Sequence, residues 1–169
     1  MKIRIEKKYQ VRIPINIERL VRKLLVKVPE DHLVGLGSII LVDQVTHKRD
    51  KKSEGLYWQR KGQELAKIEI GVNTIYRGMP RFIFYLPFIA KFMLATVLYH
   101  EIGHHSQYST HGITKEEEEN FAEKYRKEML KKAFFLWRLF LLPISPLVRW
   151  LTRSQKGRSK GKKTGITAF

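Results

Sequence analysis

An apolar run from Phe88 to Leu98 that leads into Tyr99-His100-Glu101-Ile102-Gly103-His104-His105 restricts this chain more than any other stretch. Phe88, Ile89, Ala90, Phe92, Met93, Leu94, Ala95, Val97 and Leu98 make its turns apolar almost all round, the pattern of a helix enclosed within a domain. Residues four apart stand one above the other on a helix, so His100 and His104 present two imidazoles from one face to one point. Two histidines and a glutamate at the end of such a helix are costly to bury unless something satisfies them, and a divalent zinc ion is the expected partner. Glu101 lies one step round the helix, off the ligand face and placed to take a proton from water at the metal. Its expected role is general base.

Cysteine is absent, which excludes disulfides, thiolate zinc fingers and cysteine nucleophiles and leaves imidazole and carboxylate as metal donors. That donor set suits a catalytic site better than a structural one. A chain of 169 residues fits one domain with a modest core. The alternating charged start, Met1-Lys-Ile-Arg-Ile-Glu-Lys-Lys8, is no secretory signal, so the expected compartment is the cytoplasm.

Around its His-Glu-x-x-His pattern the chain resembles the zincin metallopeptidases, most strongly from Lys67 to Leu130. The resemblance implies an α+β, zincin-like minidomain. Its small antiparallel or mixed sheet packs on an N-terminal helix and the metal-binding helix, and a Glu-bearing helix and a hydrophobic C-terminal segment follow. It also implies a zinc-dependent peptidase in which metal-activated water attacks a peptide carbonyl, with substrate lying along a sheet edge beside the metal helix. In the gluzincin branch the third ligand is a Glu on a following helix, within Glu-x-x-Ala-Asp or Glu-x-x-x-Asp. Glu119-Asn-Phe-Ala122-Glu123 is similar to the first form with Glu for Asp, which implies Glu119 as third ligand and Glu123 as the acid that orients a ligand histidine. A small Ala122 would let the two helices approach closely. Glu118 is the rival, because Phe121, Ala122, Tyr125 and Met129 centre it on an apolar stripe, and Glu116 ranks third. The metzincin pattern needs Gly at 107 and His at 110, where this chain has Gln107 and Thr110, so His105 and His111 are expected to be exposed or to sit behind the ligands. Tyr99, Tyr108, Tyr125, His105 and His111 are the candidate oxyanion donors.

In chain order, alternation from Ile3 to Ile15 predicts a half-buried strand or hairpin arm, and Asn16 caps a helix with apolar positions Ile17, Leu20, Val21, Leu24 and Leu25. The basic residues of that helix face water. Strands are predicted over 33–43, 55–60 and 66–72, forming an antiparallel meander, with Gly35 and Gly37 as turn residues. The strand over 66–72 is expected to offer the open edge. Phe82, Phe84 and Tyr85 are expected in the core. Thr114-Lys-Glu-Glu117 is a capping box that opens a helix near Lys115.

The domain is expected to span 1–132, followed by a hydrophobic segment over 133–151 and a basic, disordered tail over 152–169. Trp137 and Trp150 with flanking Lys131, Lys132, Arg149 and Arg153 have the composition of a segment lying at an anionic membrane surface, and Pro143 and Pro146 argue against a full crossing; the equal alternative is that the segment completes the domain core or a dimer contact. The net charge of +17, with Arg153, Lys156, Arg158, Lys160, Lys162 and Lys163 in the tail, attracts phosphates in general. The competing function is therefore a basic membrane- or nucleic-acid-binding module in which the metal site is structural or inactive, nucleic acid being the weaker version because no aromatic-basic strand pattern is visible.

Overall fold

The computed structural model describes residues 3–46, 53–77, 79–80, 84, 86–107 and 114–135, and Met1–Ala133 forms one unit. Its elements are β1 (Arg4–Lys7), α1 (Ile17–Leu25), a 3-10 turn (Glu30–Leu33), β2 (Leu36–Val42), β3 (Gly55–Trp58), β4 (Ala66–Gly71), α2 (Val72–Tyr76), α3 (Pro87–Gln107) and α4 (Lys115–Ala133). The architecture is α+β, with one mixed sheet and helices packed against it.

The strand order is β1-β2-β4-β3, with β1, β2 and β4 parallel and β3 antiparallel to β4. This replaces the expected meander. Hydrophobicity accounts for the difference: the two most apolar strands take the centre, where Ile39, Leu41, Ile68 and Ile70 are fully buried. The short strands β1 and β3 take the edges, and β1 carries Arg4 and Glu6 there, charges that discourage edge-to-edge association. Ala66–Gly71 is thus interior, and the edge beside α3 is β3. Val72 leaves the sheet to begin α2.

Only Arg4–Lys7 of the alternating start pairs as a strand, and beyond it the Gln10 and Val11 N–H groups donate to the Asp43 carboxylate. Helix α1 follows expectation: the Asn16 side chain accepts from Arg19 N at 2.9 Å, and Ile17, Val21 and Leu24 are wholly buried. Burial of that kind contributes about 1.5–3 kcal/mol per side chain. Gly35 has the positive φ of a turn, 87°, but Gly37 lies inside β2, where a Cβ would come within 2.7 Å of Leu65 Cβ. Phe84 packs on Tyr76, ring centroids 5.8 Å apart, while Phe82 and Tyr85 lie outside the described residues.

Helix α3 starts at Pro87, whose missing N–H costs nothing at a first helical position. Ala90, Leu94, Ala95, Leu98, Tyr99 and Ile102 of this helix have no exposed surface. The Tyr99 hydroxyl donates to Leu24 O at 3.2 Å and pins the end of α1 against it. The capping box at α4 forms: Thr114 N donates to Glu117 Oε2 at 2.8 Å, and Glu117 N donates to Thr114 Oγ1 at 3.3 Å. Thr114→Ala should lower stability by about 1 kcal/mol, read as a shift in urea midpoint at constant slope. No helix among the described residues is long and apolar enough to cross a membrane. Residues 136–169, which hold most of the expected hydrophobic segment and the whole basic tail, lie outside the described residues.

Candidate metal centre

The last turns of α3 meet the first turns of α4 at a crossing of two small residues. A Cβ on Gly103 would lie 2.7 Å from Ala122 Cα and 3.2 Å from Ala122 Cβ, so the two backbones nearly touch there. This close approach sets Glu119, one turn before Ala122, opposite His100 and His104. His100 Nε2 and His104 Nε2 are 3.2 Å apart, and Glu119 Oε2 lies 3.5 Å from the first and 3.8 Å from the second. A point in their plane equidistant from all three is about 2.0 Å from each, the length of a zinc–nitrogen or zinc–carboxylate bond. Three lone-pair-bearing atoms at this spacing repel unless a cation or protons lie among them. The donor set, two imidazoles and one carboxylate with a half-exposed side, fits a divalent ion that keeps an open position.

Glu118 holds a different place from the one its rivalry with Glu119 implied. Its Oε1 lies 3.4 Å from His104 Nδ1, the nitrogen turned away from the cluster. A carboxylate there keeps the proton on Nδ1 and the lone pair on Nε2. Glu116 is exposed in the first turn of α4 and is not part of the group. Glu123, expected to orient a ligand histidine, pairs instead with Arg126 at 2.6 Å and Lys127 at 3.3 Å. His100 Nδ1 is buried with no hydrogen-bond partner. Burial, and next the neighbouring His104, hold the His100 imidazole below its ordinary value, which keeps the ring neutral and its lone pair available.

Glu101 is 7% exposed and faces β3. A Cβ on Gly55 would come within 2.6 Å of Glu101 Oε1 and 2.7 Å of Val97 Cγ1, so only glycine lets the edge strand lie over this carboxyl. The Tyr57 N–H donates to Glu101. Burial first, then the Glu119 charge, push the Glu101 carboxyl up to about 8.

His105, expected to be exposed or to sit behind the ligands, is buried. Its Nε2 meets Val34 O at 3.1 Å and its Nδ1 meets the Tyr57 hydroxyl at 3.2 Å. A carbonyl only accepts, so Nε2 carries the proton and Nδ1 accepts from Tyr57. Burial lowers the His105 pKa and favours that neutral tautomer. Tyr57 thus ties β3 to α3 twice, by its backbone to Glu101 and by its hydroxyl to His105.

Of the candidate oxyanion donors, Tyr99 is committed to Leu24 O, Tyr125 pairs with His32 Nδ1 at 2.9 Å, and His105 is engaged as above; Tyr108 and His111 lie outside the described residues. Gly55, Tyr57 and Gly103 are the positions that sequence reasoning missed. The only signal for them was a glycine opening a strand and a glycine between the two histidines. Comparison with protein-family models, with curated proteins and with solved structures gives no match to this chain.

Proposed function

We propose that this chain is a zinc-dependent metallopeptidase of the zincin class, gluzincin-like in its third ligand, with His100, His104 and Glu119 as metal ligands. The observation that carries this is the triangle of donor atoms, 3.2, 3.5 and 3.8 Å on its sides, assembled from two helices. Zinc in such a set supplies Lewis acidity, bringing the pKa of water towards about 7 and polarising a carbonyl. The chain's own groups then do the proton work. Glu101 Oε atoms, held by the Tyr57 N–H and covered by Gly55, accept the proton from water and return it to the departing amine. Glu118 holds His104 in orientation.

The substrate we propose is an extended peptide. β3 is an edge strand that lies over Glu101, whose carboxyl takes the Tyr57 N–H. A peptide added along that edge pairs through the other outward groups of β3, which brings a carbonyl beside the general base.

The test is metal stoichiometry and affinity. Protein purified without chelators should carry about one zinc per chain. Glu119→Ala should lower zinc affinity by more than the roughly 10–100-fold expected for Glu118→Ala, because a ligand is lost in the first case and an orienting partner in the second. Absence of stoichiometric metal, or equal affinity in wild type and Glu119→Ala, removes the proposal.

A further inference from the structure

Among the described strands β1 forms the other edge of the sheet, and both its backbone and its charges fit a second copy of the same strand. In a parallel ladder one residue turns its N–H and its C=O to a neighbour and the next turns both away. Lys8 N donates to Leu41 O at 2.7 Å, so Lys8, Glu6 and Arg4 turn these groups to β2, and Ile3, Ile5 and Lys7 turn theirs to the outer edge. Outward groups at alternate positions are what an antiparallel neighbour pairs with.

The side chains alternate between the faces of the sheet. Ile3 and Ile5 line a cavity of about 650 Å³ together with Leu25 and Val26 from the end of α1 and Glu30 and Asp31 from the 3-10 turn. Val26 is 81% exposed there, so the cavity wall gains by being covered. Arg4 and Glu6 occupy the opposite face.

Those two charges oppose an edge-to-edge contact in most registers, which makes the register they favour specific. Place β1 of a second copy antiparallel, with the two-fold axis at Ile5. The outward N–H and C=O of Ile5 then bond to those of its counterpart, Ile3 pairs with Lys7 in the same way, and Arg4 stands opposite Glu6 on both sides of the axis. Within β1, an axis at Arg4, Glu6 or Lys7 would instead set a charge against its own copy. In the register centred on Ile5, Lys7 of one copy also comes beside Ile3 of the other, next to the cavity that Glu30 and Asp31 line.

We infer that this chain forms a two-fold dimer through β1, joining two four-stranded sheets into one with the strand order β3-β4-β2-β1-β1-β2-β4-β3. β3 is the far strand of each sheet, so both β3 edges and the Glu101 carboxyls beneath them stay clear of the contact. The dimer stands whether or not the metal centres are catalytic.

The test uses the full chain. By sedimentation equilibrium the wild type should be a dimer at about 0.1 mM, and Arg4→Glu and Glu6→Arg should each weaken self-association by at least about tenfold, with circular dichroism unchanged, since each sets like charges opposite one another twice. Mixed in equal amounts, the two variants should form a heterodimer of wild-type strength, because the acidic strand of one then faces the basic strand of the other. The lack of cysteine permits a second readout. Ile5→Cys places two thiols at the axis with Cα atoms about 5.5 Å apart, within reach of a disulfide, and should cross-link on mild oxidation. Ile3→Cys, which faces Lys7, should not. The inference is overturned if the wild type is monomeric at about 0.1 mM, if the mixed variants stay apart, or if Ile3→Cys cross-links as readily as Ile5→Cys. A monomer whose β1 edge takes up an unrelated extended peptide would give that edge to another protein and overturn it as well.

Discussion

Glu101→Gln should lower the proposed peptide hydrolysis by about 10²–10⁴-fold, through the loss of a general base, and leave the proposed zinc affinity in place. The same substitution should make the metal-free protein more stable at neutral pH. Burial and the Glu119 charge raise the Glu101 carboxyl from 4.5 to about 8, against the smaller lowering by the Tyr57 N–H. The folded chain therefore keeps a proton that the unfolded chain releases, and stability attached to this group falls as pH rises from about 4.5 to about 8. Over that window the loss is on the order of 3–5 kcal/mol, and the uncharged amide that Glu101→Gln introduces does not incur it. A cation held at the neighbouring imidazoles reverses the bias by favouring the carboxylate. Thermal melts of the metal-free Glu101→Gln variant should thus gain stability from pH 5 to pH 8, because the depressed His100 and His105 cease to oppose folding as pH rises, the wild type should fall behind it by a growing margin, and zinc should close the gap. A wild type and a variant whose metal-free stabilities change alike across this range would show that Glu101 is not buried as described. A variant that still turns over peptide would remove it as the base.

What the sequence made legible was local, and what it hid was long-range. Asn16 and Thr114 announce their helices because a cap is a contact within three residues. The His-Glu-x-x-His pattern and Ala122 announce the ligand helix and its close neighbour for the same reason. Strand order is different. Nothing local in Gly55–Trp58 shows that it lies outside Ala66–Gly71, because a hairpin looks alike whichever partner faces the rest of the sheet. Glu118 and Glu119 are consecutive residues on one acidic run, and periodicity alone cannot divide their roles. The division comes from the approach of α3, which offers Nε2 of both histidines to Glu119 and only Nδ1 of His104 to Glu118. The sequence left His105 open between exposure and a place behind the ligands, because neither Val34 O nor the Tyr57 hydroxyl, which satisfy its two nitrogens in the interior, is near it in the chain.

Gly103→Ala should be the most damaging one-carbon change in the domain. On an open helix surface the substitution stabilises by about 1 kcal/mol through propensity. Here the new Cβ would lie 2.7 Å from Ala122 Cα, so α3 and α4 must separate by about 1 Å to restore ordinary contact. Overpacking of that kind costs about 1–3 kcal/mol. The loss to the metal site is larger in its consequence, because Glu119 rides on α4 while both imidazoles ride on α3. Separation lengthens the 3.5 and 3.8 Å sides of the donor triangle and leaves the 3.2 Å side alone, turning a three-donor site into a two-donor one. Zinc affinity should fall at least as far as in Glu119→Ala. Ala122→Gly should not rescue it, since the contact at 2.7 Å is with the backbone Cα and survives removal of the methyl group. Measured side by side, zinc titrations of Gly103→Ala, Glu119→Ala and the combination should show little further loss in the double variant, as two changes that disable one ligand are not additive. Full additivity would mean that the crossing and the carboxylate act on zinc separately, and Glu119 would then have to be replaced as the third ligand.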